Sequence, residues 1–243
     1  FPGWKGGKLL GALAQGMYWF LILRSDLGAK QGDIEAVKGL NIGAAPLVDL
    51  GLMHLLTEYG IDLEKDKVNI APVPGAFTGK NVNFGVTAAK ALQDGKIDGF
   101  WANGMGAEVA VKSGAGTLVI DARRGDGPAS AFHYTMPALI TSERLINDEP
   151  EVCAAAVRAL VKTQKALKED VSLATKVGRK RFPAEEAELI ADIVQRDLPF
   201  YNAAITPDFV AGMSKFSQAM GLIDAPVTFE DAVATQFSEL WTQ

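Results

Sequence analysis

Trp101-Ala102-Asn103-Gly104 sets a large aromatic ring beside an amide and a glycine. At the carboxyl end of a strand, that ring can stack on a planar ligand while the amide fixes the ligand's orientation. A Trp packed into the core satisfies the same pattern. Ala44-Ala45-Pro46-Leu47 offers a second chemistry. A helix starting here presents unpaired backbone N–H groups and the positive end of its dipole, so Ala44, Ala45 and Leu47 can receive a carboxylate, sulfonate or phosphate. The plainer reading is that Pro46 merely starts a helix.

Other residues carry less. Glu108 can pair with a ligand amine, although a first-turn carboxylate that stabilises a helix N-terminus explains it more simply. Arg123-Arg124 can hold an anion, yet paired arginines in a Gly-rich turn are mostly solvated. His54 lies on a helix without a partner at ligand spacing, and two isolated histidines, His54 and His133, do not make a metal site. The single Cys153 excludes an internal disulfide and reads as an inert core thiol on an apolar helix. The sequence has no Gly-x-Ser-x-Gly, no His-Glu-x-x-His and no phosphate loop. No motif calls for an enzyme or a cofactor.

These residues need elements to place them. From Val37 to Ile120 the sequence alternates strand and helix: a strand at 40–43, a helix at 47–59 stopped by Gly60, a strand at 68–73, a helix over 88–93 capped by Thr87 or Gly85, and a buried strand at 97–101. That order predicts an α/β lobe with a parallel sheet. Ligands of open α/β sheets lie at the carboxyl ends of the strands, here 43–46, 74–78 and 101–106. Residues 8–24 read as strand material with a kink at Gln15-Gly16-Met17-Tyr18, and 132–140 as another strand. From Pro150 the chain turns helical, with helix starts expected at Thr141-Ser142-Glu143, Thr206-Pro207 and Thr228.

Composition bounds the answer. A chain of 243 residues, 48% hydrophobic and 22% charged, can bury a sizeable core. A net charge of −5, with no basic run longer than Gly178-Arg179-Lys180-Arg181, argues against a nucleic-acid groove. The apolar run at 17–23 is too short to span a bilayer.

Four segments, in order, carry a resemblance: 37–43 (VKGLNIG), 58–62 (EYGID), 91–99 (ALQDGKIDG) and 145–152 (LINDEPEV). Together the chain resembles the periplasmic solute-binding proteins of ABC importers, in the branch that takes up sulfonates, nitrate and thiamine precursors. The resemblance implies an α/β, two-lobed periplasmic-binding-protein fold, type II-like, with ligand held between hinged lobes. The first lobe would comprise 1–36 and 121–243, the second 37–120, with crossings near 30–38 and 118–127. Gln15 and Tyr18 lie where the chain of such proteins nears the ligand, and a β-bulge with a packed Tyr is the alternative. Adding Gln15 and Tyr18 to the residues read above gives the expected ligand site: Gln15, Tyr18, Ala44, Ala45, Pro46, Trp101 and Asn103. The implied partners are a small organic ligand, anionic or planar, and an ABC permease, and the implied location is periplasmic or extracytoplasmic. Such proteins carry further βα units ahead of the segment matching Leu10–Arg24. The N-terminal part of the first lobe is thus expected to be missing, leaving 10–23 beside a gap or an exposed sheet edge, whereas an internal strand there would mark a genuinely reduced domain. A two-lobed enzyme of pyrimidine synthesis and a ligand-sensing domain are the readings from other classes.

Overall fold

Two apolar runs near the start of the chain form strands, β1 (Gly7–Ala12) and β2 (Phe20–Arg24), and they enter different sheets. The computed structural model describes residues 6–76 and 83–242. It divides into two units, Met17–Phe132, and the residues up to Gly16 with those from His133 onward. This moves the expected boundaries. Residues 17–36 and 121–132 belong with the α/β block, because β2 is an inner strand of its sheet.

In the Met17–Phe132 unit the strand order is β4-β3-β5-β2-β6. The strands β3 (Asn41–Ala44), β4 (Asn69–Ala71) and β5 (Gly99–Ala102) run parallel, as the alternation predicts. β2 lies antiparallel between β5 and β6 (Gly116–Asp121). Phe20 to Leu23 are all buried, which is why both faces of this strand are apolar.

Three helices follow three of these strands. The first, α1 (Asp49–Tyr59), starts two residues later than its apolar spacing suggests. Leu47 has φ 70° in the intervening turn, and the Ala45 carbonyl accepts from the Val48 and Asp49 N–H groups at 3.1 and 2.9 Å. It stops at Gly60, as expected. The cap of α2 (Phe84–Gln93) is Asn83 rather than Thr87 or Gly85, its Oδ1 accepting from Gly85 N at 3.0 Å. The third, α3 (Gly104–Lys112), has no apolar stripe to announce it, since its buried residues are Gly104, Gly106, Ala107 and Ala110. Small residues are required there because a Cβ on Gly106 would sit 2.5 Å from the Gly85 carbonyl oxygen. One core packs Phe20, Ile22, Phe100 and Ala102 against Ala88, Leu92, Ala107 and Ala110.

Segments 30–38 and 118–127, expected as crossings, are tied together inside this unit. Gly32 N donates to Val119 O at 2.8 Å and Gln31 Nε2 to Asp126 Oδ2 at 2.9 Å. The chain passes between units instead at 16–17 and 132–133, and Met17 N donates to Phe132 O at 3.1 Å.

In the other unit β1 pairs antiparallel with β7 (Ala138–Ser142), so the strand expected at 132–140 starts later, after a 3-10 turn at Ala129–His133. The other side of β1 is also served by this chain: Ala234 N donates to Leu9 O and Ala12 N to Ala203 O. The expected open edge at 10–23 is therefore not found; the segment is two strands, each with partners on both sides. The helices are α4 (Glu143–Asp148), α5 (Pro150–Glu169), α6 (Ser172–Gly178), α7 (Ala184–Asp197), α8 (Pro207–Ala219) and α9 (Phe229–Ala232). Ser142, Thr206 and Thr228 cap α4, α8 and α9, as their sequence positions predict. The core gathers Leu10, Ile146, Cys153, Val157 and Phe237, and Trp241 Nε1 donates to Leu10 O at 2.8 Å.

Candidate functional site

Strand register decides which side chains can meet. Gly43 pairs with Ala71, Ala44 with Trp101, and Phe20 with both Ala102 and Asp121. One edge of the Met17–Phe132 sheet therefore carries, in a row, the ends of β4, β3 and β5, the start of β2 and the end of β6. Tyr18 and Trp19 precede β2, Ala45 and Pro46 follow β3, Asn103 follows β5, and Arg123 follows β6. This is the edge at which open α/β sheets take ligands.

The side chains on this edge differ in how available they are. Trp101 is 0% exposed and belongs to the core, the competing reading of its sequence pattern. Its indole N–H has no hydrogen-bond partner among the described residues. Asn103 is committed to structure: it is the N-cap of α3, its Oδ1 accepting from Gly106 N at 3.4 Å. Ala44 is buried, Ala45 half-buried and Pro46 exposed. The helix start beside them already holds a carboxylate, with Asp49 Oδ1 accepting from Leu50 N at 2.9 Å, which weakens its pull on a second anion. Residues 77–78 of the expected 74–78 loop lie outside the described residues.

Tyr18 and Arg123 form the most distinctive pair on the edge. Tyr18 stacks on Trp19 with ring centroids 4.7 Å apart, and the Arg123 guanidinium lies 5.9 Å from the Tyr18 ring centroid. Arg123 is only 5% exposed, so this arginine is not the solvated turn residue its setting suggests. Arg124 is held as well, donating to Asp121 Oδ2 at 2.6 Å. Burial pushes the Tyr18 hydroxyl above the usual tyrosine range, and the Arg123 charge pulls it the other way. The aromatic pair Tyr18-Trp19 ahead of an apolar strand was the signal for this cluster. Its pairing with Arg123 rests on register and has no local trace in the sequence.

The remaining candidates settle elsewhere. Gln15 lies in the other unit, where its Nε2 donates to Asn202 O at 2.8 Å and Ala204 O at 2.6 Å, holding the 202–204 segment. Glu108 sits beyond the first turn of α3, so it is not the helix-start carboxylate expected. His133 packs edge-on against Phe209, centroids 5.0 Å apart. His54, read as lacking a partner at metal-ligand spacing, lies 3.6 Å from Glu58 Oε1, one turn along α1. Ser130 Oγ donates to the other oxygen of Glu58. The hydroxyl thus faces the carboxylate rather than the imidazole, which does not make a nucleophile and base pair. Among the described residues no group of three or more His, Cys, Asp or Glu could hold a metal ion.

No protein-family model and no curated protein matches this chain. Solved structures do. The ligand-binding component of an ABC-type import system from Staphylococcus aureus, solved with zinc bound, superposes with a TM-score of 0.68 at 12% identity, covering 98% of this chain and 74% of that one. The alkanesulfonate-binding protein SsuA from Xanthomonas axonopodis pv. citri, bound to MOPS, gives 0.67 at 13%, covering 93% and 73%. The desulfurization enzyme DSZB gives 0.60 at 16%, covering 96% and 78%. The chain therefore has the periplasmic-binding-protein fold seen in ligand-binding components of ABC-type importers, as its resemblance to the sulfonate and nitrate branch implied.

Proposed function

We propose that this protein binds a small organic solute for an ABC-type importer and hands it to the membrane permease from an extracytoplasmic location. The observation that supports this most is the Tyr18–Arg123 pair on the carboxyl edge of the sheet, in a fold that importer components share. A buried guanidinium next to aromatic rings suits an anionic or planar solute, because a charge held in a dry site is attracted to its opposite more strongly than in water. Tyr18, Ala45 and Pro46 are the contacts proposed, with Arg123 supplying the charge. Ala44, Trp101, Asn103 and Gln15 support the surrounding structure. Solute binding would be coupled to rotation at the two chain crossings, 16–17 and 132–133.

Native mass spectrometry of freshly purified protein tests the reading, since a retained solute reports its own mass. Titration calorimetry with alkanesulfonates, nitrate and aromatic sulfonates follows. Binding that survives in wild type and falls at least tenfold in Tyr18→Ala is the expected result. Absence of any retained or titrated solute sinks it. The likeness to DSZB, a desulfurization enzyme also solved as a mutant in complex with biphenyl-2-sulfinic acid, favours one enzymatic reading, desulfurization of an aryl sulfinate. Release of sulfite from an aryl sulfinate by the purified protein would favour that reading.

A further inference from the structure

Residues 162–182 hold seven lysines and arginines against two acids. They contribute +5 to a chain whose net charge is −5, so the remainder carries −10. Lys162, Lys165 and Lys168 stand exposed on α5, and Lys176, Arg179, Lys180 and Arg181 on α6 and the turn after it. Of these seven, only Arg179 has an ion-pair partner among the described residues, Glu188 at 2.8 Å. Beside them runs an apolar groove of about 430 Å3, lined by Ala166, Leu167, Leu173, Val177, Phe182 and Ile190. Val177 is 60% and Phe182 47% exposed.

We propose that this face docks on an anionic lipid surface, with Val177 and Phe182 entering the headgroup layer and the lysines and arginines lying against the phosphates. The proposal rests on the transport reading only in that such a protein works beside a membrane. Charge complementarity selects the occupant. Six cations with no ion-pair partner among the described residues, mostly flexible lysines spread over two helices and the turn after them, match a diffuse negative plane better than the fixed forks of a protein interface. The rest of the chain, net −10, is repelled by the same plane, which favours turning the lysine- and arginine-bearing side of α5 and α6 toward it. Apolar side chains flanked by cations are the usual composition of an interfacial contact.

Flotation of the full chain with phosphatidylcholine vesicles, with and without phosphatidylglycerol, tests this. The protein should float with the anionic vesicles only, and should be released by high salt. Lys176→Gln, Lys180→Gln and Arg181→Gln should each weaken partitioning about fivefold, and Phe182→Asp should abolish it, with unchanged circular dichroism. Equal flotation with neutral vesicles, no flotation at all, or flotation indifferent to these substitutions would overturn the proposal. So would tight binding of an acidic amphipathic peptide by protein that ignores the vesicles. Solute retention, measured on the same samples by mass spectrometry, reports on the transport reading independently.

Discussion

Trp101 shows how one residue type supports two readings that only burial separates. Its ring lies wholly inside the core, so Trp101→Ala should cost about 3–5 kcal/mol of stability, as buried aromatic deletions do. A thermal melt checks this; a small fall in Tm with a large fall in solute affinity would return Trp101 to the binding site. Asn103 was legible as a residue that fixes something, but what it fixes is the start of α3. Tyr18 carries a prediction about pH. Its folded pKa lies above the unfolded value of about 10, so the fold holds the neutral form more tightly. Stability is therefore intact below about pH 10 and falls as the pH rises past it. Urea midpoints measured across that window should decline less steeply in Tyr18→Phe than in wild type.

The contact between α2 and α3 is made by glycine backbones, and it sets where the end of β5 sits. A Cβ on Gly106 would lie 2.5–2.6 Å from three backbone atoms of Gly85, none of which can swing aside. Gly106→Ala should thus destabilise by roughly 1–3 kcal/mol or more, read as a shift in urea midpoint, whereas Gly114→Ala would probe only the strain of a positive φ with open space around it. Helix and strand order over 41–102 was legible because alternation and turn chemistry are local. α3 was not, since four small buried residues leave no stripe to detect. The place of β2 was not legible either. Phe20-Leu21-Ile22-Leu23 reads plainly as a strand, but its partners Gly99–Ala102 and Gly116–Asp121 lie far along the chain, and sequence pattern says nothing about which distant strands pair. That one strand moved the boundary between the units and brought Tyr18 to the edge where Arg123 lies.

The Met17–Phe132 unit is continuous in sequence, has its own core, and contributes every proposed solute contact. Expressed alone, it should fold cooperatively and give a dispersed amide NMR spectrum, while the remaining two pieces, being discontinuous, should not fold when either is made separately. The hydrogen bond from Met17 N to Phe132 O adds a kinetic consequence. To the surrounding unit, everything between those two residues is a loop, and closing a flexible loop of that length costs roughly 4 kcal/mol of chain entropy. Once the inner unit has formed, its ends are already tied and most of that cost is gone. The outer unit is thus expected to condense second, and Gly106→Ala, far from it in sequence, should delay the burial of Trp241 during refolding.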